Sequence, residues 1–465
     1  MTKEKQHIHF IGICGVAMSA LAIAFHKKNW KVTGSDAGFY PPVSTNLQKT
    51  GIDFYSGWHV EKMCSNGDPD LVVVGNVASS NNPEWQYVKE HGLNYKSYPE
   101  VIAEFFVAKN SIVCAGTYGK TTTSTLLSWI LSRAGHNPSY MFGGLAVNHN
   151  FDSAGLGKED KKDWSVLEGD EYKTARWDNS PKFTHYSPTH LLLTAVQWDH
   201  ADVFPTEESY FDAFKKLAQS IPNNGLAVVS ENVKEDFVAK FGCPVIKYGT
   251  SNQDYQYQNL TQAKDGLKFE ILHHNHKYQL FSPLLGGYMA ENITACFAMA
   301  CEIGIEPEQI IKYIAEFQGI KRRLEKRSKI EINVFDDIAH SPAKAGFTLQ
   351  TLRQAYAHSQ IYAVFEPNTG NRRPQSAHGY SNAFINTDQV IIPRLTKVKI
   401  NQDDPDRPMD GKKLAEVIAQ THANVKYIED DQKLLDYLKT KTQPGDVVVF
   451  LGSHGFRGMI EEFVE

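Results

Sequence analysis

The stretch Cys114-Ala-Gly-Thr-Tyr-Gly-Lys-Thr-Thr-Thr123 constrains this chain more than any other. An apolar run, Ser111 to Ala115, leads in and reads as a buried strand. A helical pattern leads out, with Leu126, Leu127, Ile130, Leu131 and Ala134 on one face and Gly135 as its stop. Strand, glycine turn, Lys-Thr and helix together predict a phosphate cradle. The glycines let backbone N–H groups close on phosphate oxygens, and the helix start adds about half a positive charge. Lys120 can reach the β/γ-phosphates of a nucleotide, and the Thr121 hydroxyl can ligate Mg²⁺. Cys114 stands where the general pattern has its first glycine, and the alternative reading is a glycine turn before a surface helix.

A chain of 465 residues is too long for one ordinary domain, and two to four are expected. Its 42% hydrophobic content suffices for several cores. A net charge of -5 excludes a general electrostatic pull toward nucleic acid or anionic membranes. The start, MTKEKQHIHFIGICG, reads as a first strand rather than a signal peptide, and no run reaches the roughly 18 apolar residues of a membrane span. Six scattered cysteines (14, 64, 114, 243, 296, 301) without C-x-x-C spacing imply a reducing, cytoplasmic setting and argue against a zinc ribbon.

In chain order, His7 to Ile11 reads as a strand, followed by Gly12-Ile-Cys-Gly15-Val-Ala17 and a helix to about Lys28, a dinucleotide-fold turn with displaced glycines. Val32 to Ser35 is the next strand. Asp36 at its end is placed where an acid meets a ribose or base edge, although such a turn can also be plain strand–helix packing. Leu71 to Val74 ends in Gly75-Asn76. Strands alternating with helices imply a parallel sheet, with this domain ending near Ala108.

Beyond the cradle, Gly143-Gly144 reads as a turn close to ligand. Trp164 to Leu167 is a strand ending in Glu168-Gly-Asp170-Glu171, three carboxylates whose repulsion a Mg²⁺ shared with ATP would relieve; a solvated acidic turn is the alternative. Leu191 to Thr194 leads to Asp199-His200-Ala-Asp202, where His200 is a metal ligand, a general base or a surface histidine. Residues 251–285 read as short strands with turns. Met289 to Gly304 reads as a helix with Asn292 on its first turn, able to meet a base edge or to serve the structure alone. In the last third, Arg322-Arg323 sits at a domain junction, where an arginine can clamp phosphates. The strands Val334 to Asp336, Ile361 to Phe365 and Val447 to Leu451 carry Gly, Asn, His or Arg at their carboxyl ends, the edge where such sheets bind ligands.

Together these motifs resemble the Mur ligases, and the resemblance covers essentially the whole chain. Gly116-Thr-Tyr-Gly-Lys-Thr-Thr122 matches their ATP loop, Glu168-Gly-Asp-Glu-Tyr172 their acidic motif, and Asp199-His200-Ala-Asp202 their Asp-His-x-Asp. Arg322-Arg323-Leu-Glu325 and Asp336-Asp-Ile-Ala-His340-Ser-Pro342 match the two C-terminal signatures. Finer features point to the branch that joins a recycled tripeptide to UDP-N-acetylmuramate in peptidoglycan recycling: Gly12-Ile-Cys-Gly15, Gly34-Ser-Asp-Ala-Gly-Phe-Tyr-Pro-Pro42, Gly75-Asn76 and Lys182-Phe-Thr-His-Tyr186. The neighbouring branch attaches L-alanine.

The resemblance implies an α/β fold in three domains: a Rossmann-like N-terminal domain (1–108), a central P-loop ATPase domain (109–318) and a Rossmann-like C-terminal domain (319–465). It implies ATP and Mg²⁺ as cofactors, with an acyl phosphate on the substrate's lactyl carboxylate that an incoming amine attacks. Gly116, Thr117, Gly119, Lys120, Thr121 and Thr122 hold the phosphates, Thr121, Glu168 and His200 the metal, and Asn292 the adenine, while Arg323 and Asp337 close on the nucleotide. Gly12, Gly15, Ser35, Asp36 and Asn76 frame the uridine diphosphate; His340, Arg372, Arg373 and Arg457 are offered to the acceptor and its carboxylates. Lys120, Glu168, His200 and Arg323 carry the catalysis. Partners are small molecules, with neither nucleic acid nor membrane, and the chain is a monomer or a dimer. Closure of the third domain by hinges near Leu285 and Gly319 is expected.

Departures from the family pattern are Tyr118, Gly169, Thr194-Ala195, Gln197, Tyr288-Met289 and Ser341. They keep two alternatives open: the same chemistry with L-alanine as acceptor, and a catalytically weak UDP-sugar-binding regulatory protein.

Overall fold

The computed structural model describes residues 5–39, 43–158, 163–397 and 407–465; Tyr40 to Pro42 of the quoted signature lie outside them. The first sheet contains β1 (His7–Ile11), β2 (Lys31–Asp36), β3 (Asp53–Ser56), β4 (Leu71–Val74) and β5 (Tyr95–Ser97) in the order β3-β2-β1-β4-β5, every pair parallel. The order reverses between β1 and β4, and that reversal opens a crevice at the strands' carboxyl ends. β1 and β4 are buried along their whole length, as runs such as Leu-Val-Val-Val must be when helices cover both faces. Two histidines on β1 break the apolar run. His7 Nε2 and His9 Nδ1 both meet Thr33 Oγ1, at 2.9 and 2.7 Å.

The second sheet is built around β6 (Asn110–Ala115). Its other strands are β7 (Ser139–Met141), β8 (Ala154–Gly155), β9 (Trp164–Gly169), β12 (His190–Leu193), β13 (Leu226–Ser230), β14 (Val245–Gly249), β15 (Tyr255–Ala263), β16 (Gly266–His273) and β17 (His276–Ser282). β10 (Lys173–Ala175) and β11 (Asp178–Pro181) form a separate antiparallel hairpin. The order is β17-β16-β15-β14-β13-β12-β6-β9-β7-β8, so β6 lies between β12 and β9 and is parallel to both. The stretch read as short strands with turns is more regular than expected. Leu267, Phe269 and Ile271 alternate inward on β16, and His274 and Asn275, both at positive φ, make a tight two-residue turn into β17. The following helix spans Gly287–Glu302, so it begins before Met289 and Asn292 falls in its second turn rather than its first.

The third sheet holds β18 (Glu325–Lys326), β19 (Asn333–Asp337), β20 (Ile361–Glu366), β21 (Gln389–Ile392), β22 (Val425–Tyr427) and β23 (Val447–Gly452), ordered β18-β19-β23-β20-β21-β22. Only β18 runs antiparallel to its neighbour. All three sheets are thus α/β, as expected. By contacts the chain forms two compact units. One comprises residues up to Asn259 with Phe269–Leu280 and Ala290–Phe317; the other comprises Leu260–Lys268, Phe281–Met289 and Gln318–Glu465. No helix among the described residues is long and apolar enough to cross a membrane, and all six cysteines are free.

Burial, and then the nearby Lys31 and His9 charges, push the His7 imidazole down to about 4. The unfolded chain binds that proton near the ordinary value of about 6.5. The contribution of His7 to stability is therefore complete above about pH 6.5 and declines as the pH falls toward about 4. The difference in thermal melting between the wild type and His7→Gln, followed from about pH 7 to about pH 4, should show this decline, whereas the carboxyls of Asp336, Asp337 and Glu171, which burial raises, act in the opposite direction in both proteins.

Candidate active site

β6 ends at the cradle. Gly116 follows it at φ +134, and Gly119 caps the helix Lys120–Arg133 at φ +82. Both glycines are required by space as well as by dihedral angle. A Cβ on Gly116 would lie 2.2 Å from Thr194 Oγ1, and one on Gly119 would lie 2.6 Å from Asn292 Oδ1. The loop is thus pressed against the end of β12, where Thr117 N donates to Ala195 O at 3.1 Å and the Thr194 hydroxyl donates to Tyr118 O. Cys114, one of the departures, is buried inside β6. The turn begins only at Gly116, so a side chain at position 114 does not obstruct it.

Lys120 folds back over this turn. Its Nζ donates to Gly116 O at 2.8 Å and to Glu171 Oε1 at 2.9 Å. Glu171 is fully buried, and its Oε2 has no partner among the described residues. Burial pushes this carboxyl above its ordinary range, and the Lys120 ammonium only partly opposes that. Parallel pairing places Glu168 of β9 opposite Cys114 of β6, so its carboxylate lies beside the helix start. Thr121 Oγ1 donates to Glu168 Oε1 at 2.8 Å, and Gly143 N donates to Oε2 at 2.5 Å. The Gly143-Gly144 turn therefore does reach the site. Burial raises the Asp170 carboxyl, but the Lys182 ammonium at 2.5 Å and the Tyr172 N–H hold it below the carboxylate range.

His200, at φ +58, places Nε2 3.4 Å from Glu171 Oε1 and 3.9 Å from Asp199 Oδ2. Tyr172 packs edge-on against its ring and donates to Asp202 at 2.5 Å. Lys120, Thr121, Glu168, His200 and Asn292, singled out in the sequence, thus gather at one sheet edge. Two members were missed as site residues. Glu171 was visible only as part of an acidic run, and Lys182 was visible only as a letter of a signature. Their distances to Lys120 and Asp170 exist only in the folded chain.

At the crevice of the first sheet, Gly12 takes φ +92, and a Cβ there would lie 2.6 Å from Val77 Cγ2. Gly15 caps the helix Val16–Lys27, and Asn76 O accepts from Arg176 Nε at 2.8 Å. Asp36 accepts from Cys14 N at 2.8 Å, so it organises the glycine turn. The Ser35 side chain is turned into the domain, fully buried, and is unable to frame a ligand directly.

In the third sheet, Asp337 accepts the N–H groups of Leu324 and Ala339 at 2.6 and 2.8 Å and so holds the turn that carries Arg323. Arg322 clasps the end of β23 through Gly452 O at 2.6 Å and His454 O at 2.9 Å. His340 Nδ1 meets Ile338 O at 2.7 Å. Arg372 is held by Thr396 O and Met409 O, and Arg457 by Asp431 and Glu366. The guanidinium groups of Arg372 and Arg457 are therefore engaged inside the domain rather than extended from it. A cavity of about 720 Å³ opens at the ends of β21 and β22, lined by Arg394, Tyr427, Glu429 and Asp431 among others.

Family models match along most of the chain: the Mur ligase family catalytic domain over residues 7–110, the Mur ligase middle domain over 114–300 and the Mur ligase glutamate ligase domain over 322–454. The UDP-N-acetylmuramate–L-alanyl-γ-D-glutamyl-meso-2,6-diaminoheptandioate ligase of Escherichia coli is 30% identical over 464 residues, 98% of this chain and 97% of that protein. The chain belongs to the Mur ligase family. It is an ATP-dependent ligase acting on small molecules. The UDP-N-acetylmuramate–L-alanine ligase of Brachyspira hyodysenteriae is 28% identical over 460 residues, covering 97% of this Mur ligase and 96% of its relative. The crystal structure of a murein peptide ligase from Psychrobacter arcticus superimposes with a TM-score of 0.68 at 26% identity, covering 99% of this chain and 98% of that one.

Gly116→Ala tests the cradle's geometry. It should lower stability by about 2–4 kcal/mol through left-handed strain and overpacking. Chemical denaturation measures that loss, and calorimetric titration should show ATP affinity falling with it.

Proposed function

We propose that this Mur ligase joins a peptide, L-alanyl-γ-D-glutamyl-meso-diaminopimelate, to the lactyl carboxylate of UDP-N-acetylmuramate, a step of peptidoglycan recycling in the cytoplasm. One observation carries the reading. A relative named for that reaction matches from end to end.

The cradle supplies positioning and charge. Lys120 sits where it can exchange the Glu171 carboxylate and the loop carbonyls for phosphate oxygens. The backbone N–H groups at the helix start face the same oxygens. Thr121 and Glu168 fit a hard divalent cation, since a hydroxyl and a carboxylate lie 2.8 Å apart. Mg²⁺ needs only one or two protein ligands of this kind, its other positions being filled by phosphates and water. When bound, Mg²⁺ neutralises charge on the transferring phosphoryl group. His200 borders this donor set through Glu171.

The lactyl carboxylate attacks the terminal phosphorus, giving ADP and an acyl phosphate. The peptide's free amine then attacks the acyl carbon, phosphate departs with the bonding pair, and the amine loses a proton. The first sheet holds the UDP-sugar at its β1–β4 crevice, with Gly12, Gly15, Asp36 and Asn76 at the rim. The third sheet receives the acceptor at the carboxyl ends of its strands. There Arg373, on the loop that follows β20, is offered to a carboxylate of the peptide.

A second reading, L-alanine as acceptor, is favoured by the 28% identity of the alanine-adding relative, close to that of the peptide-adding one. Phosphate release with ATP and UDP-N-acetylmuramate, tested against each acceptor, separates the two. The tripeptide should turn over and L-alanine should not. Turnover with L-alanine alone would reverse the assignment, and turnover with neither would leave a binding protein. Lys120→Ala should lower kcat/KM by at least about 10²–10³ while the protein stays folded. Near-normal turnover in a folded variant would remove the cradle from the mechanism.

A further inference from the structure

Glu84 has no part in the chemistry above, yet its carboxylate ties together strand ends of the first sheet. It lies in the first turn of the helix Pro83–Glu90, which Asn82 caps by accepting from Trp85 N at 2.9 Å. The residue is 0% exposed. Its Oε1 accepts from Tyr55 Oη at 2.8 Å and from His59 N at 2.7 Å. Its Oε2 accepts from the Ser35 hydroxyl at 2.5 Å and lies 3.6 Å from His9 Nε2. Burial alone would raise this carboxyl, but the His9 imidazole, Ser35 and the His59 N–H override burial and hold it below its ordinary value. The start of the helix adds to the same effect.

Ser35 carries the glycine turn in its own right. Its carbonyl accepts from Gly12 N at 2.8 Å and Ile13 N at 3.0 Å. Its neighbour Asp36 accepts from Cys14 N on the carboxylate and from Gly57 N, at 2.9 Å, on the carbonyl. A continuous chain of hydrogen bonds thus runs from Glu84 through Ser35 to the Gly12–Gly15 turn. A second branch runs to the Tyr55–His59 corner after β3. A core that needed only stability would be served equally well by apolar side chains of the same volume. Here the carboxylate instead gathers donors from the carboxyl ends of β2 and β3, beside the crevice.

We propose that Glu84 is a positioning residue for the nucleotide-sugar site. Acting through Ser35, it fixes the Gly12–Gly15 turn in the arrangement that receives the uridine diphosphate group of the substrate. This rests on the reading of the first sheet as the UDP-sugar site. It also gives Ser35 a different role, as the link between Glu84 and the turn rather than a contact to the ligand.

Glu84→Gln tests the link selectively. The amide oxygen still accepts from Tyr55 and His59, but an NH₂ group replaces the acceptor that faces Ser35 and His9. Calorimetric titration with UDP and with UDP-N-acetylmuramate, well below the melting temperature, should show affinity weakened about tenfold. The KM for ATP should stay within about twofold. Ser35→Ala should give the same pattern, and the double variant should be no weaker than either single one, because both changes cut one chain of bonds. Unaltered UDP affinity in Glu84→Gln, fully additive effects, or parallel loss of UDP and ATP affinity with a lowered melting temperature would overturn the proposal. If Glu84→Gln does not fold, Ser35→Ala decides, and wild-type affinity there overturns it as well. Failure of the wild-type protein to bind either uridine ligand would instead sink the reading of the first sheet, and the proposal with it.

Discussion

The ammonium of Lys120 lies 2.9 Å from a carboxylate that has no access to water, and much of the central site is arranged around that contact. Burying either charge alone is costly, whereas burying them together is tolerated when further hydrogen bonds complete the pair. Here the completion is one-sided. Lys120 also holds the carbonyls of Gly116 and Thr117, while Glu171 keeps one oxygen unpartnered among the described residues. The lysine is therefore held at the mouth of the glycine turn by interactions that phosphate oxygens can replace. Its position depends in turn on β6 lying between β9 and β12. That pairing delivers Glu168 and Glu171 from one side and Thr194 from the other.

The three sheets repeat one solution to a common problem. Parallel strands buried on both faces admit a polar group along their length only with a partner, as His7 and His9 have in Thr33, so most polar groups collect where the strands end. The first sheet places the Gly12 turn there, the second the cradle and its acids, and the third Asp337, Glu366 and the Gly452–His454 loop. In each case a charged residue grips backbone or partner groups beside the edge: Glu84 in the first, Lys120 in the second, Arg322 in the third. These edges are fixed by hydrogen bonds to groups several elements away in sequence.

Several departures from the family pattern have a structural account. Cys114, which departs from the general phosphate-loop pattern rather than from the family's, belongs to the strand and not to the turn. Thr194 takes part in the loop's support by donating to Tyr118 O, and Gln197 reaches the exposed Tyr118 side chain at 3.2 Å. Ser341 caps the helix Pro342–Ala355, a task suited to a short hydroxyl side chain.

Much of the fold was legible in the sequence, because runs such as Leu71–Val74 and Val447–Leu451, each followed by glycine or a polar residue, admit few other arrangements. The cradle was legible for the same local reason: strand, glycine turn, Lys120 and Thr121 are contiguous. Other features were decided only by tertiary structure. The pairing of Lys120 with Glu171 spans 51 residues and that of Ser35 with Glu84 spans 49, distances that strand order sets and no local pattern encodes. The inward turn of Ser35 and the engagement of Arg372 and Arg457 within their own domain belong to the same class. A residue's type announces what it can bind; which partner it meets depends on the elements that the fold brings beside it.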